Sequence, residues 1–231
     1  MLETRGLTLS YGESRILHGL DVAAEVGRVT CVMGTNGTGK TSLLKAISGT
    51  HRRIGGTVRL DGEDVSALPA HARARRGIGY VPQGRMIFPL LTVRENLETG
   101  FACLPAEDRR VPEEIFELFP VLREMEGRRG GDLSGGQQQQ LAIGRALVTK
   151  PKLLLLDEPT EGIQPNIIQQ IGRVIELLRD EGRMAIVLVE QYFDFAQALA
   201  DRFYVLTRGE VTLQGESAEI DRDRLLAAVS V

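Results

Sequence analysis

Apolar and polar residues alternate as in a β-strand at the start of the chain, over residues 2–10, and residues 16–24 have the pattern of a second strand. This alternation is typical of half-buried β-strands, and the turn at Gly12 between the two segments predicts an antiparallel pair. Shorter apolar runs follow, each bounded by glycines or other turn residues, and they predict short buried strands. These runs are residues 29–33, 57–60 and 78–81.

The periodicity then becomes helical. Apolar residues recur every three or four positions over 113–125, and Ser134 stands where a long helix through Val148 needs its N-terminal cap. Beyond that helix, continuous apolar runs predict strands buried on both faces of a sheet, with helical segments between them. The predicted helices are residues 42–47, 92–97, 113–125, 135–148, 165–178, 193–199 and a last one from 217 onward; the later strands are 153–156, 185–189 and 203–206, with a hairpin turn at 208–210.

Strands that alternate with helices predict an α/β fold with a mainly parallel sheet, and the first strands predict an N-terminal antiparallel β-subdomain. We expect one domain over residues 1–231. Its core comprises residues 1–83 and 150–231, and residues 84–149 form a helical lobe inserted between the two halves of the sheet.

Composition and charge narrow the class of protein. The formal net charge of −3, without a long basic run, argues against a nucleic-acid binder. Cys31 and Cys103 are too few for a disulfide framework, so a reducing cytosol is the expected compartment. No segment approaches the roughly 20 apolar residues that span a bilayer, and residues 1–5 lack the apolar stretch of a signal peptide.

A glycine-rich loop between a predicted strand and a predicted helix carries the first chemical signal. Residues 34–41 fit the pattern G-x-x-x-x-G-K-[ST], which wraps the phosphates of a nucleotide. Lys40 supplies a positive charge for the β- and γ-phosphates, and Thr41 supplies a hydroxyl for Mg²⁺. The alternative is a glycine-rich turn before an ordinary helix. The residues expected to bind nucleotide here are Gly34, Thr35, Asn36, Gly37, Thr38, Gly39, Lys40, Thr41 and Ser42.

Two adjacent carboxylates end the apolar strand at residues 153–156. Ligands of α/β sheets bind outside the carboxyl ends of the strands, so Asp157 is expected beside the phosphates, where it can hold Mg²⁺ through water. Glu158, one residue further, is expected to take the proton of the attacking water. The alternative is an exposed Asp-Glu turn. Together with the phosphate loop, the pair predicts a P-loop NTPase core.

The third motif is Leu133-Ser134-Gly135-Gly136-Gln137, at the start of a helix. With the other two motifs it makes the chain resemble the ATP-binding subunit of an ABC transporter over nearly its whole length. The resemblance implies an ATPase that works as a head-to-tail dimer, in which each ATP lies between the phosphate loop of one subunit and this motif of its partner. Ser134, Gly135, Gly136 and Gln137 would then contact nucleotide bound to the partner.

The resemblance also assigns roles to single residues outside these motifs. Tyr11 matches the aromatic residue that stacks on adenine, with a strand-end surface tyrosine as the alternative. Gln83 matches a glutamine that contacts Mg²⁺ and the attacking water, although Pro82-Gln83 is also compatible with an ordinary turn. Phe88, Leu90 and Leu91 match the surface that receives a membrane subunit, with core packing as the alternative.

Two positions depart from the usual family pattern. Gln191 stands where a histidine commonly contacts the γ-phosphate, and Gln164 stands where an aspartate is common. A neutral amide can donate a hydrogen bond but cannot become cationic, so we expect Gln191 to make this chain's own phosphate site the slower one of two. The motif Val189-Glu190-Gln191 resembles one subunit class of the branched-chain amino acid and urea importers. Residues 161–165 and 190–196 resemble the urea version more narrowly.

The expected function is that of the ATP-hydrolysing motor of an importer for urea or related short amides, with ATP and Mg²⁺ as cofactors. The implied partners are a second homologous ATPase subunit, two transmembrane permease subunits and, indirectly, a periplasmic binding protein. A homodimer of the isolated chain is the alternative to the pair with a second ATPase subunit. No nucleic acid is expected as a partner. The expected location is the cytoplasmic face of the membrane. The alternatives are a branched-chain amino acid importer, a soluble ABC-type clamp on DNA or the ribosome, and a nucleotide-binding module that does not hydrolyse.

Overall fold

A computed structural model describes residues 1–229 of the chain. Ten strands and nine α-helices lie in this range. The strands are β1 Leu2–Tyr11, β2 Ser14–Ala24, β3 Val29–Met33, β4 Gly55–Leu60, β5 Glu63–Asp64, β6 Ile78–Val81, β7 Leu153–Asp157, β8 Ala185–Val189, β9 Arg202–Thr207 and β10 Glu210–Glu216. The helices are α1 Lys40–Ser48, α2 Ala70–Arg75, α3 Val93–Glu98, α4 Glu113–Leu118, α5 Pro120–Glu124, α6 Gly135–Val148, α7 Pro165–Asp180, α8 Phe193–Leu199 and α9 Arg222–Val229.

The strands form two sheets. The first is antiparallel, in the order β2-β1-β4-β5. The second has the order β10-β9-β3-β8-β7-β6 and is parallel except for β10, which pairs antiparallel with β9. The predicted α/β fold, with an N-terminal antiparallel part and a mainly parallel sheet, is confirmed. Residues 84–149 contain α3 to α6 and none of the strands that the structure describes between residues 1 and 229.

The parallel sheet is buried on both faces because its central strands are continuously apolar. Leu153 and Leu155 of β7 pack on the face that α1 and the antiparallel sheet cover. Leu154 and Leu156 point to the opposite face, where apolar residues of α6 and α7 pack. Each of these leucines is fully buried, which contributes about 1.5–3 kcal/mol per side chain to folding. This three-layer packing fixes the relative positions of the carboxyl ends of the parallel strands.

Some predicted elements differ from those in the structure. The single helix predicted over 113–125 is two helices, because Phe119 adopts a non-helical backbone (φ −133°, ψ 75°) immediately before Pro120. A residue before proline is disfavoured in the helical conformation. The last helix begins at Arg222 rather than at Ser217, since the Oδ1 of Asp221 accepts from the backbone N–H of Arg224 at 3.0 Å and caps it. Residues 230 and 231 of that predicted helix lie outside the described range.

Two elements were not predicted, namely β5 and α2. Helix α2 lacks an apolar period because its buried anchor is Arg73, which is only 3% exposed. The Arg73 guanidinium donates to the carbonyls of Ala46 and Ile47, both at 2.7 Å, and so satisfies the C-terminal end of α1. None of the helices described between residues 1 and 229 is both long enough and apolar enough to cross a bilayer.

Candidate active site

Four neighbouring strands of the parallel sheet end side by side at the candidate site. Strands β3, β8, β7 and β6 run in the same direction, so their carboxyl ends share one edge. The phosphate loop follows β3, Glu190 and Gln191 follow β8, Asp157 and Glu158 lie at the end of β7, and Gln83 lies just beyond β6. This edge is where α/β proteins bind ligands. The fold therefore brings together candidate residues that are far apart in sequence.

The backbone of the phosphate loop depends on glycine. At Gly34 a Cβ atom would lie 2.4 Å from the carbonyl oxygen of Leu206, and φ is +149°. Gly39 has φ +107° and precedes the first turn of α1. Within residues 1–229, the backbone N–H groups of Asn36, Gly37 and Gly39 donate to no protein acceptor. These free donors at a helix N-terminus fit an anion with several oxygens, such as a phosphate group.

The ammonium group of Lys40 is buried inside this loop. Its side chain is 4% exposed, and Nζ donates to the carbonyl oxygens of Gly34 at 2.8 Å and Thr35 at 3.0 Å. Nζ also lies 3.4 Å from Oε1 of Glu158, whose side chain is 6% exposed. A buried charge needs such a partner, because its desolvation is otherwise unfavourable. The two residues predicted for phosphate binding and proton abstraction are thus an ion pair.

Asp157 is the candidate metal-binding carboxylate. Thr41 Oγ1 donates to its Oδ1 at 3.1 Å, and Tyr80 Oη donates to its Oδ2 at 3.1 Å. Burial raises the pKa of Asp157, although these two hydrogen bonds oppose the shift. No group of three or more His, Cys, Asp or Glu side chains within residues 1–229 could hold a metal ion alone. One carboxylate and one hydroxyl still fit Mg²⁺, which commonly completes its shell with waters and substrate phosphates.

Glu158 is held by amides as well as by Lys40. The side-chain amide of Gln191 donates to its Oε1 at 2.6 Å, and that of Gln83 donates to its Oε2 at 3.1 Å. The backbone of Glu158 has φ +47°, a left-handed conformation that is uncommon for a residue with a side chain. Such strain persists where the surrounding structure imposes it, and it concentrates at functional sites. Gln83 and Gln191 therefore each contact Glu158 directly, as their predicted catalytic roles require.

A cleft of about 270 Å³ joins several of these groups to the exposed end of β1. Tyr11 lies at one wall, 42% exposed, and its ring stacks on His51 with the centroids 4.3 Å apart. The cleft is lined by Tyr11, Ile16, Asn36, Gly37, Gly39, Lys40, Thr41, Ser42, Gln83 and Glu158.

The motif at residues 133–137 lies elsewhere. Ser134 caps α6, since its hydroxyl accepts from the backbone N–H of Gln137 at 3.4 Å and the side chain of Gln137 accepts from the Ser134 N–H at 2.9 Å. None of Ser134, Gly135, Gly136 and Gln137 lines the cleft around Lys40. One chain therefore does not bring this motif to its own phosphate loop.

Three residues of the site received no role in it from the sequence, namely Tyr80, Glu161 and Glu190, although Glu161 and Glu190 stand in motifs that carry the family resemblance. Tyr80 contacts Asp157, and Glu161 accepts from the Gln83 amide at 3.1 Å. Glu190 accepts from Thr160 of the neighbouring loop. Their common signal is position, because each lies at or within four residues of the carboxyl end of a parallel strand. Nearness to a strand end can be predicted from the sequence, but which strand ends lie side by side is known only from the strand order.

Comparison with known proteins identifies relatives along nearly the whole chain. The family model described as ABC transporter matches residues 17–161. The high-affinity branched-chain amino acid transport ATP-binding protein BraG of Pseudomonas aeruginosa is 43% identical over 221 residues, covering 95% of this chain and 94% of the relative. The probable branched-chain amino acid transport ATP-binding protein LivF of Archaeoglobus fulgidus is 39% identical, with coverages of 95% and 94%. The lipopolysaccharide export system ATP-binding protein LptB of Escherichia coli is 34% identical, with coverages of 96% and 93%.

Solved structures agree with this assignment. A nucleotide-free ATP-binding cassette from an ABC transporter superposes with a TM-score of 0.86 at 26% identity, covering 100% of this chain and 95% of the other. A bacterial ABC transporter cassette solved as a dimer gives a TM-score of 0.81 at 26% identity, with coverages of 94% and 99%. The expected resemblance is confirmed, and the relatives are consistent with the importer class predicted from the motifs. The chain belongs to the ABC transporter ATP-binding cassettes and is an ATPase.

Proposed function

We propose that the edge formed by β3, β8, β7 and β6 is the hydrolytic site of this ATPase. The observation that carries the proposal is the buried contact between Lys40 and Glu158, 3.4 Å apart, with Asp157 and Thr41 alongside. Lys40 exchanges its bonds to the loop carbonyls for phosphate oxygens, and Tyr11 stacks on the adenine. Thr41, Asp157 and Gln83 would hold Mg²⁺, which would supply positive charge to the phosphates.

Glu158 is the proposed general base. It accepts the proton of the attacking water, while Gln83 and Gln191 hold its carboxylate through the two amide contacts. When phosphate oxygens bind Lys40, the ammonium is drawn from the carboxylate and Glu158 is released to face the water. The nucleotide-free ion pair therefore keeps the base from acting before a phosphate has bound.

A second ATPase subunit completes each site. Ser134, Gly135, Gly136 and Gln137 lie at the start of α6, away from the chain's own cleft. The N–H groups of Gly135 and Gly136, which the capping box leaves free, are suited to the γ-phosphate of a nucleotide bound to another subunit. We propose a head-to-tail arrangement with a homologous ATPase subunit, and Gln191 makes this chain's own phosphate site the slower one. In isolation a second copy of this chain would occupy the same place.

We propose that the permease subunits contact the helical lobe, residues 84–149. In this proposal the lobe is an insertion in the nucleotide-binding core, residues 1–83 and 150–231. Met86, Phe88 and Leu90 follow Gln83 and are 65%, 49% and 79% exposed. Exposed apolar side chains grouped in this way mark interaction surfaces. Two transmembrane subunits would bind here, which places the chain on the cytoplasmic face of the membrane, with a periplasmic binding protein as an indirect partner.

The cargo is proposed from relatives and motifs, because an ATPase subunit does not contact it. BraG and LivF are both described as branched-chain amino acid transport proteins, and they support import of branched-chain amino acids. The resemblance of residues 161–165 and 190–196 to the urea version is the weaker argument. Reconstitution with the cognate permease subunits and binding protein, followed by uptake of labelled leucine and labelled urea, distinguishes amino acid import from urea import. Uptake of urea without leucine would overturn the amino acid assignment.

The hydrolytic proposal is tested with Glu158→Gln. This variant should bind ATP with Mg²⁺ as the parent chain does and lose at least about a hundredfold in kcat, because the amide cannot accept a proton. Glu219→Gln is the matched control, since Glu219 is exposed and makes no contact with the site. Turnover by Glu158→Gln at the rate of the control would remove Glu158 from its role.

A further inference from the structure

Glu190 is a buried carboxylate to which the proposed mechanism assigns no step. It is 2% exposed and follows β8 directly, one residue before Gln191. Its Oε1 accepts from the backbone N–H of Thr160 at 3.1 Å and from the Thr160 hydroxyl at 2.8 Å. Its Oε2 accepts from the backbone N–H groups of Gln191 at 3.0 Å and Tyr192 at 3.2 Å. Both oxygens are thus fully used, each by a different loop.

The two loops joined in this way flank Glu158. Thr160 belongs to the segment after β7, two residues beyond Glu158, and Gln191 belongs to the segment after β8. The backbone N–H of Glu158 also donates to the carbonyl of Val189 at 2.9 Å. The Gln191 amide reaches back across this junction to Oε1 of Glu158 at 2.6 Å. Glu190 therefore closes a ring of contacts that runs from Glu158 through Thr160 to Gln191.

The chemistry of this junction requires an acceptor at position 190. An ionised carboxylate has acceptor sites on both oxygens and no donor, which matches four donors arriving from two sides. Burial raises the pKa of Glu190, and the hydrogen bonds from Thr160, Tyr192 and Gln191 oppose that shift. No Lys or Arg forms an ion pair with Glu190 among the described residues. Four hydrogen bonds hold its two oxygens, and these bonds fix the backbone of both loops.

We propose that Glu190 is a positioning residue for hydrolysis, which acts by holding Gln191 against Glu158 and by coupling that contact to the loop at Thr160. The inference rests on the proposed role of Glu158 and deepens it. The loop at Thr160 continues through Glu161, which shares the Gln83 amide with Glu158. A displacement of either loop is thereby transmitted to the position of the general base.

Glu190→Gln tests the proposal without changing the size of the side chain. The carboxamide offers one oxygen and one NH₂ group, so one of the two loops meets a donor facing its own N–H donors. We expect kcat of the full-length chain to fall on the order of tenfold, the loss of about one well-placed hydrogen bond. The ATP dissociation constant should change by less than about threefold, because the phosphate loop makes none of these bonds.

A double-mutant cycle distinguishes positioning through Gln191 from a general loss of stability. Gln191→Ala should itself lower kcat, and Glu190→Gln should add less than about twofold in that background. If the two effects multiply, or if Gln191→Ala leaves kcat unchanged, the proposal is wrong. Glu219→Gln again serves as the matched control for the charge change.

Thr160 provides a second pair of variants that keeps the test valid if Glu190→Gln folds poorly. Thr160→Val removes the hydroxyl donor at constant volume, whereas Thr160→Ser retains it. We expect Thr160→Val to lower kcat by roughly threefold and Thr160→Ser to match the parent chain. Equal kcat in both variants would contradict the coupling. Glu158→Gln, measured in parallel, distinguishes a failure of the Glu190 proposal from a failure of the proposed function. An inactive Glu158→Gln supports Glu158 as the general base even if the Glu190 variants behave like the parent chain.

Discussion

The hydroxyl of Tyr80 donates to Oδ2 of Asp157 at 3.1 Å, opposite the bond that Thr41 makes to Oδ1. Tyr80 lies on β6, which pairs in parallel with β7, so two adjacent strands deliver the donor and the acceptor to one place. Burial raises the pKa of Tyr80 above its ordinary value of 10, and the hydroxyl therefore keeps its proton and donates. The candidate metal-binding carboxylate is thus oriented before any metal binds.

Tyr80→Phe should weaken Mg²⁺ binding in the presence of ATP. Loss of an outer hydrogen bond to a ligating carboxylate typically costs on the order of tenfold in metal affinity. The measurement is the Mg²⁺ concentration that half-saturates the ATP-induced rise in Tm, which does not depend on turnover. Tyr204→Phe is the matched control. It deletes the hydroxyl of a buried tyrosine on β9, which accepts from the backbone N–H of Ala23 at 3.1 Å and does not contact Asp157. An equal shift in both variants would show that Tyr80 has no particular link to the metal.

Asp157→Asn should stabilise the nucleotide-free chain while impairing Mg²⁺ binding. Burial raises the pKa of Asp157 above its ordinary value of 3.8, so the ionised form is unfavourable in the folded state. The hydroxyls of Thr41 and Tyr80 can turn to accept from the new amide. We expect the free energy of unfolding to rise by about 1 kcal/mol at pH 8, measured by urea denaturation.

The pH dependence of that gain follows from linkage. A carboxyl whose pKa is raised in the folded state destabilises the fold above that pKa and has no such effect below the unfolded value of 3.8. The gain in the free energy of unfolding from Asp157→Asn should therefore be largest at pH 8. It should shrink as the pH falls through the pKa of folded Asp157 toward 3.8. An advantage that grows on acidification would contradict burial as the cause.

Gln191→His should raise the turnover of the site that this chain's own phosphate loop forms. The Gln191 amide contacts Oε1 of Glu158 at 2.6 Å but cannot carry charge. An imidazole in the same place can become cationic near pH 6.5 and stabilise the developing phosphate charge. The experiment uses a mixed dimer in which only the site formed by this chain's phosphate loop can hydrolyse ATP. It compares the ATPase rate of that dimer with Gln191 and with His at position 191. An unchanged rate at pH 6.5 and pH 8 would remove the proposed asymmetry.

Much of the fold was predictable because the apolar patterns are strong. The runs over 29–33, 153–156 and 185–189 became β3, β7 and β8 within one residue, since each is buried on both faces. Helix α2 was missed because an arginine serves as its buried anchor. Proline at position 120 was the signal for the break between α4 and α5, and the helical period over 113–125 concealed it.

The phosphate loop and the Asp157–Glu158 pair were found from local motifs, because their chemistry depends on residues adjacent in sequence. Tyr80 and Glu190 could not be found in this way. Their partners, Asp157 and Thr160, lie 77 and 30 residues away along the chain. Only the strand order β8-β7-β6 makes these pairs neighbours, and no local pattern contains that order.

The dimer proposal predicts that turnover per chain rises with chain concentration. A single chain holds Ser134 and Gly136 away from its own cleft, so a dilute monomer lacks the second anion-binding helix end. Ser134→Ala should lower the concentration-dependent rate, but it also removes the cap of α6, which costs about 1 kcal/mol of stability. Ser134→Asp is therefore the informative companion variant, because aspartate caps a helix well and places a negative charge toward the incoming phosphate.

We expect Ser134→Asp to retain the Tm and ATP affinity of the isolated chain and to lose turnover at every concentration, because its carboxylate repels the γ-phosphate of the partner's nucleotide. Thr92→Asp is the matched control, since Thr92 likewise caps α3 through a capping box and its change adds the same charge away from the Ser134 motif. Turnover per chain that stays constant on dilution, or a Ser134→Asp variant as active as the control, would mean that one chain forms a complete site.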